Sequence, residues 1–166
     1  MQRSLPAYIA VAACALAAAP SASAAGTRDL WATVNVCDTS TSPDEMGVRA
    51  RMPGDGRRHR MYMRFTAQFK SGKKWKPVSG KGASRWLYAG SALFKTQELG
   101  YTFSFDAPKA GSSYLMRGLV QFQWRTKKGK VVRRTHLYTE GHHPTKGADP
   151  KGYSAGKCEI STPGMG

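Results

Sequence analysis

Two short stretches of the sequence place tryptophan among lysine and arginine, a combination suited to binding anionic sugars or bases. The first contains Lys73, Lys74 and Trp75, and the second contains Arg85 and Trp86. An exposed indole can stack on a sugar or base while neighbouring cations meet a phosphate or carboxylate. A tryptophan between turn residues can also pack across the open end of a β-sandwich, so the sequence leaves both interpretations open.

A third cationic group belongs to the stretch VQFQWRTKKGKVVRRTHLY, residues 120–138, and to the strand-like run before it. Apolar and polar residues alternate on both sides of a Lys-Lys-Gly turn, which is typical of a β-hairpin with one solvent-exposed face. The polar members of this predicted open, cationic sheet face are Arg117, Gln121, Gln123, Arg125, Arg134 and His136.

The turn of this hairpin allows two registers, which differ in the side chains that the last strand directs inward. A three-residue loop with a bulge directs inward Arg134, His136 and Tyr138. A four-residue loop directs inward Val131, Arg133, Thr135 and Leu137. The second set is the more apolar one, and we predict it.

Patterns of catalytic or metal-binding residues are weak. The chain has no G-x-S-x-G or H-E-x-x-H motif, and its 10 acidic residues form no pair around an aromatic cleft motif. His136, His142 and His143 come close together in sequence, but adjacent residues of an extended chain point apart. We therefore predict a protein that is not an enzyme and has no cofactor or metal, with metal binding as a less favoured alternative.

The first residues have the three parts of a secretory signal peptide: a basic start, an apolar stretch from Leu5 to Ala19, and small residues before a cleavage site. We predict cleavage after Ala24, with cleavage after Ala25 as the alternative. We also predict no transmembrane segment, because the apolar stretch is shorter than the roughly 20 residues that span a bilayer. The alternative is a lipoprotein, since Val11 to Cys14 resembles a lipidation motif.

Two cysteines, Cys37 and Cys158, remain after the predicted signal. An even pair in an exported chain indicates a disulfide, which would close a loop of 121 residues. Two buried free thiols are the alternative. A zinc site is less favoured, because neither cysteine has a second ligand at C-x-x-C spacing.

The net charge of +16 favours anionic partners outside the cell. We predict anionic envelope polymers or polysaccharides as partners and no sequence-specific nucleic acid. The basic residues are spread along the chain, however, and a like-charged surface that prevents edge-to-edge aggregation would explain this spread without any ligand.

The elements that must position these residues are short β-strands. Residues 60–70 place Met61, Met63 and Phe65 on one side, and Tyr62 and Arg64 on the other. Similar alternation occurs in residues 31–37, 47–52, 101–105 and 114–124, and Pro/Gly turns separate these runs. About seven such strands predict an all-β, two-sheet antiparallel sandwich.

The segment APKAGSSYLMRGLVQFQWRTKKGKVVRRTHLYT, residues 107–139, resembles the last strand pair of an immunoglobulin-like or fibronectin type III domain. The resemblance implies that Tyr114 is a corner tyrosine whose hydroxyl bonds to the preceding loop. The wider layout is similar to that of small secreted actinobacterial proteins of unassigned activity. The cysteines depart from the immunoglobulin pattern, since Cys158 lies beyond the last predicted strand.

These observations divide the chain into a signal peptide (1–24), an immunoglobulin-like β-sandwich domain (25–140) and an irregular tail tethered by Cys158 (141–166). The expected function is that of a secreted, non-catalytic binding or adhesion module. The alternative is a structural or interaction domain with no small ligand.

Overall fold

The computed structural model describes residues 29–93 and 95–162. The predicted signal peptide, its cleavage site and Cys14 therefore lie outside the described residues. Within those two ranges the chain forms nine strands and no helix. The strands are β1 (Trp31–Thr39), β2 (Ser42–Pro53), β3 (Arg60–Ser71), β4 (Lys74–Pro77), β5 (Leu87–Ser91), β6 (Thr96–Ser104), β7 (Ser113–Arg125), β8 (Val131–Tyr138) and β9 (Cys158–Ser161).

The strands form two antiparallel sheets, which confirms the predicted all-β sandwich. The smaller sheet has the order β1-β2-β6. In the larger, six-stranded sheet, β3 and β7 pair along most of their length, from Arg60 with Arg125 to Phe69 with Met116. The short strands β4 and β5 share the free side of β3, and β8 and β9 share the free side of β7. The described residues thus form more strands than the seven or so expected, because two short strands share the outer edge of β3 and two more share that of β7.

The core lies between the two sheets and follows the predicted alternation. Met61, Met63 and Phe65 are fully buried, as is the predicted inner set of β7 from Val120 to Trp124. Each such side chain contributes about 1.5–3 kcal/mol relative to an exposed one. The buried Trp124 indole donates a hydrogen bond from Nε1 to the Pro53 carbonyl at 3.0 Å, so its polar atom is satisfied.

The register of the β7–β8 hairpin is the predicted one from Leu119 to Trp124. Next to the turn, a bulge between Trp124 and Arg125 pairs Val131 with Arg125, and Val131 is 40 % exposed, so its predicted inward position is wrong. Phe122 pairs with Thr135 and Val120 with Leu137, which leaves Arg134 and His136 on the outer side. In the turn, Gly129 adopts a left-handed conformation with a φ of 88°. No helix able to cross a membrane is present in residues 29–93 and 95–162.

Tyr114 does not occupy the position predicted for a corner tyrosine. It is 42 % exposed and pairs with Ile160 of β9. Ser113, Tyr114 and Leu115 are exposed, although Ile160, the cross-strand partner of Tyr114, is fully buried. The Tyr114 hydroxyl makes no hydrogen bond with any described residue, so the expected bond from Tyr114 to the preceding loop is wrong.

The segment that follows β8 lies against the free edge of β1. The amide of Val34 donates to the Ala155 carbonyl at 2.9 Å, and the amide of Ala155 donates back at 3.0 Å. This cover buries two polar side chains of β1, and both are satisfied: the Thr33 hydroxyl lies 2.8 Å from that of Ser154, and Asn35 donates to the Gly147 carbonyl.

The predicted disulfide between Cys37 and Cys158 is present, with 5.4 Å between the Cα atoms. It joins β1 to β9, the short strand that extends the larger sheet beside the start of β7. The described part of the tail thus includes a strand, which its Gly- and Ser-rich composition did not predict.

Candidate functional site

The outer side of the larger sheet brings together aromatic rings and arginines from five regions of the chain. Alternation along β3 and β7 puts Tyr62, Arg117 and Arg125 on this side, and the register of β8 adds its own outer residues. We call this surface the arginine–aromatic face, and its members are Tyr62, Trp75, Trp86, Arg117, Arg125, Arg134, His136 and Tyr138.

Arg117 lies over two aromatic rings at one end of the face. Its guanidinium carbon is 4.4 Å from the centroid of the Trp75 ring and 3.8 Å from that of Tyr138. Its Nε donates a hydrogen bond to Oε1 of Gln68 on the neighbouring strand at 2.8 Å. Stacking and the hydrogen bond together fix the plane and the rotation of the guanidinium.

Arg125 repeats this arrangement towards the other end of β7. Its guanidinium carbon is 4.3 Å from the centroid of the Tyr62 ring and 5.0 Å from that of Trp86. Its Nε donates to Oε1 of Gln123 at 2.8 Å. We call Arg117 and Arg125 the clamped arginines, since two rings and one glutamine hold each of them.

The clamped arginines direct unused donors outward. Within the described chain, each guanidinium makes only the hydrogen bond from Nε to glutamine, so the Nη groups are left to solvent. Neither clamped arginine forms an ion pair with a described residue. The ion pairs in the described part of the chain involve Arg49, Arg51, His59 and His143. A planar guanidinium with free Nη groups matches the geometry of a carboxylate or phosphate. The two sites lie about 27 Å apart along β7, at ~3.4 Å per residue.

A shallow depression of about 480 Å³ lies between the two clamped arginines. Trp86 lines it together with Gln121 and Gln123 of β7 and with Arg134 and His136 of β8. Gln121 pairs with His136 and Gln123 with Arg134 across the two strands. The depression is therefore polar, with one indole and one cation at its border.

Among the residues that the structure describes, acidic side chains are nearly absent from this face. Glu159 of β9 is the exception: it pairs with Leu115, near one end, and accepts a hydrogen bond from the Ser113 hydroxyl. Glu98, by contrast, lies on the smaller sheet beside Arg49 and Arg51. The charge of the protein is thus partly neutralised on one sheet and unopposed over most of the other, a distribution that attracts anions to the face.

The structure brings together five of the predicted binding residues and separates three. Those that meet on the arginine–aromatic face are Trp75, Trp86, Arg117, Arg125 and Arg134. Lys74 precedes Trp75 on β4 and so points to the opposite side of the sheet. Lys73 lies in the exposed β3–β4 turn, and Arg85 is exposed beside Trp86. Ligand binding by any of the eight stays a prediction.

The cations close to Trp75 differ from those expected. Its neighbours in sequence, Lys73 and Lys74, were predicted to accompany it, but Arg117 and Lys70 lie over its ring. Lys70 reaches it because the two residues pair across β3 and β4. The sequence pattern also left Tyr62 and Tyr138 unrecognised as ring partners, although the alternation of β3 and the chosen register of β8 already placed both on the outer side.

The histidines are dispersed over the fold. His59 hydrogen-bonds Asp55 at 2.6 Å in the β2–β3 loop, and His136 lies on the arginine–aromatic face. His143 stacks on Trp31 with 5.1 Å between ring centroids, and its Nε2 lies 3.1 Å from Glu140. Residues 29–93 and 95–162 contain no group of three side chains suited to hold a metal ion.

Two shifted pKa values belong to the tail and not to the face. Hydrogen bonds from the hydroxyls of Thr41 and Thr39 lower the pKa of Asp149 below its ordinary value of 3.8. Partial burial raises the pKa of Tyr153 above its ordinary value of 10.0. Both shifts favour the charge state that each group has near neutral pH.

Comparison with models of known protein families gave no match. Comparison with curated protein sequences also gave no significant match.

Proposed function

We propose that this protein is an exported, non-catalytic binding or adhesion module for anionic polymers of the cell envelope or extracellular space. The arginine–aromatic face is the proposed binding surface. The observation that carries this proposal is the repeated clamp: Arg117 and Arg125 are held in the same way, with free Nη groups, along one strand.

A clamped arginine suits anion binding because its orientation is fixed before the ligand arrives. An ordinary surface arginine loses side-chain freedom when it binds, at a cost of about 0.5–1.5 kcal/mol. Packing against rings, as around Arg125, reduces that cost in advance. Two such sites about 27 Å apart also favour an extended ligand, since the second contact of a polymer becomes intramolecular after the first.

Export is part of the proposal and has two supports. Residues 1–24 have the composition of a signal peptide, and the Cys37–Cys158 disulfide is of a kind that persists in oxidising compartments. The immunoglobulin-like relationship suggested by residues 107–139 also belongs to the proposal. The antiparallel sandwich supports this relationship. Tyr114 does not support it, because it is exposed and does not act as a corner tyrosine.

A structural domain without a ligand is the second candidate. The observation that favours it is the stacking of Arg117 and Arg125 on rings that would otherwise be exposed. Long cationic side chains can cover apolar surface while their charge stays in water. On this account the clamps serve solubility alone.

Retention on an immobilised anionic polymer, with elution by salt, separates the two candidates. The variant Arg117→Gln/Arg125→Gln is compared with Lys127→Gln/Lys128→Gln, which loses the same charge in the exposed β7–β8 turn. We expect the wild-type protein and the lysine variant to elute at similar high salt, and the arginine variant to elute much earlier. Equal elution of the two variants would show that only total charge matters.

A further inference from the structure

The depression between the clamped arginines contains hydrogen-bonding groups that are left unused by the protein. Gln121 is half-buried there, and its side-chain amide makes no hydrogen bond with any described residue. Gln123 accepts the Arg125 bond through Oε1, which leaves its NH₂ group free to donate. Between them the two amides offer both donors and an acceptor to a ligand.

These amides lie between an indole and two basic side chains. Trp86 borders the depression on one side, and Arg134 and His136 border it on the β8 side. The register places Arg134 beside Gln123 and His136 beside Gln121, so each amide has a basic neighbour on the next strand. Volume and lining fit a small polar ligand unit, because ligand sites typically measure about 300–1,000 Å³ and orient the ligand with a few polar groups.

The combination of free amides, an indole and a guanidinium in the depression favours some kinds of polyanion over others. A phosphate chain offers acceptors only, so it would satisfy Arg134 but would leave the Gln121 carbonyl without a donor. A sugar ring offers hydroxyls that both donate and accept, and an apolar face that can lie on Trp86. A carboxylate on that ring would meet the guanidinium of Arg134.

We propose that the depression is a saccharide-binding subsite and that the polymer bound by the face is an acidic polysaccharide with carboxylate-bearing sugars. This inference rests on the proposed function, since the clamped arginines would hold the polymer on either side of the subsite. It narrows the proposed ligand from polyanions in general to polyuronates, the polysaccharides built from carboxylate-bearing sugars.

The test compares polygalacturonate with polyphosphate in binding titrations at matched charge concentration and ionic strength. The first variant is Gln121→Leu, which keeps the size of the side chain and removes its amide. We expect it to weaken polygalacturonate binding roughly three- to tenfold, the equivalent of one hydrogen bond, and to leave polyphosphate binding unchanged. Arg117→Gln/Arg125→Gln should weaken the binding of both polymers.

A second measurement keeps the test valid if Gln121→Leu folds poorly. Short galacturonate oligomers are added to the wild-type protein while the NMR signals of the Trp86 indole N–H and the Gln121 and Gln123 side-chain NH₂ groups are followed. We expect these three signals to shift in a saturable manner, and inorganic phosphate at equal ionic strength to leave the Trp86 and Gln121 signals in place.

The outcomes separate the two proposals. If Gln121→Leu affects both polymers equally or neither, or if polyphosphate, DNA or anionic vesicles bind as tightly as polygalacturonate, the saccharide subsite is refuted while polyanion binding by the face stands. If the paired arginine substitutions change the binding of no polymer, the proposed function is refuted and the subsite falls with it.

Discussion

Arg117 and Arg125 illustrate how a surface charge can be given a fixed direction. Each guanidinium lies over two rings and donates through Nε to a glutamine. Lysine could replace the charge but has neither the flat surface for stacking nor the fork of donors. The residue type, and not the charge alone, therefore determines what the face can bind.

Replacing one clamped arginine by lysine tests this point. We expect Arg117→Lys to weaken binding of an anionic polymer about three- to tenfold, because the bidentate contact and its fixed orientation are lost. The free energy of unfolding should fall by about 1 kcal/mol or less, the value of a surface cation–π contact. Calorimetric titration and urea unfolding give the two quantities, and unchanged affinity would mean that the clamp has no part in binding.

The aromatic partner of Arg117 gives a second prediction. Changing Trp75 to Ala removes one of its two rings, so we expect about two- to fivefold weaker polymer binding from the less ordered guanidinium. Tyr114→Ala is the control, since this exposed tyrosine has no cation over its ring in the described chain. Salt-dependent retention measures both variants, and an equal loss in the two would show that exposed aromatics act unspecifically.

At the scale of strands, long alternating runs could be predicted and short edge strands could not. The period-two patterns of β3 and β7 are sufficient to assign Met61 and Phe65 to the core and Tyr62 and Arg125 to the outer side. The strands β4, β5 and β9 have only four or five residues, too few for alternation to specify a partner, so their pairing depends on the neighbour they meet in the fold.

The same distinction explains how much of the site could be predicted. Arg117, Arg125 and Arg134 share a face because the β7–β8 register follows from the apolar set of β8. The contact of Arg117 with Trp75 depends on the pairing of β4 with β3, and no local pattern in the sequence specifies that pairing. The cationic face could therefore be found from the sequence, but the clamps could not.

The packing of residues 147–155 against β1 should depend on pH through Asp149 and Tyr153. The pKa of Asp149 is lowered, so its stabilising effect is present above pH 3.8 and is lost as the pH falls through the lowered value. The pKa of Tyr153 is raised, so its effect is present below pH 10.0 and is lost as the pH rises through the raised value. We therefore expect the segment to be held most firmly between these limits.

Carbon-detected NMR of residues 147–155 across both titrations measures this behaviour. The acid-side change should follow the Asp149 carboxyl signal and disappear in Asp149→Asn. It should be retained in Asp106→Asn, since Asp106 is an exposed residue of the β6–β7 loop. A carboxyl pKa for Asp149 at or above its ordinary value would contradict the role of the Thr39 and Thr41 hydroxyls.

For the molecule as a whole, the disulfide has the largest predicted effect on stability. It closes a loop of 121 residues and thereby restricts the unfolded chain. We expect Cys37→Ala/Cys158→Ala to lose about 2–5 kcal/mol of unfolding free energy in urea, and β9 to separate from β7 before the rest of the sandwich unfolds. Wild-type stability in this variant would mean that the β1 and β9 contacts suffice without the bond.

The charge of the whole protein also has an uneven arrangement. Glu98 lies beside Arg49 and Arg51 on the smaller sheet, whereas the clamped arginines of the larger sheet have no acidic partner among the described residues. Long-range attraction from a net charge of +16 would bring any polyanion near the protein, and the arginine–aromatic face would then select how it lies.

The most direct test of binding by this face is to observe the arginine Nε–H NMR signals while an anionic polymer such as polygalacturonate is added. We predict that the signals of Arg117 and Arg125 shift first and saturate together, while those of Arg57 and Arg58, which lie in the exposed β2–β3 loop, change little. Shifts of equal size in all four arginines would contradict the central claim, since they would show binding to net charge and not to a face.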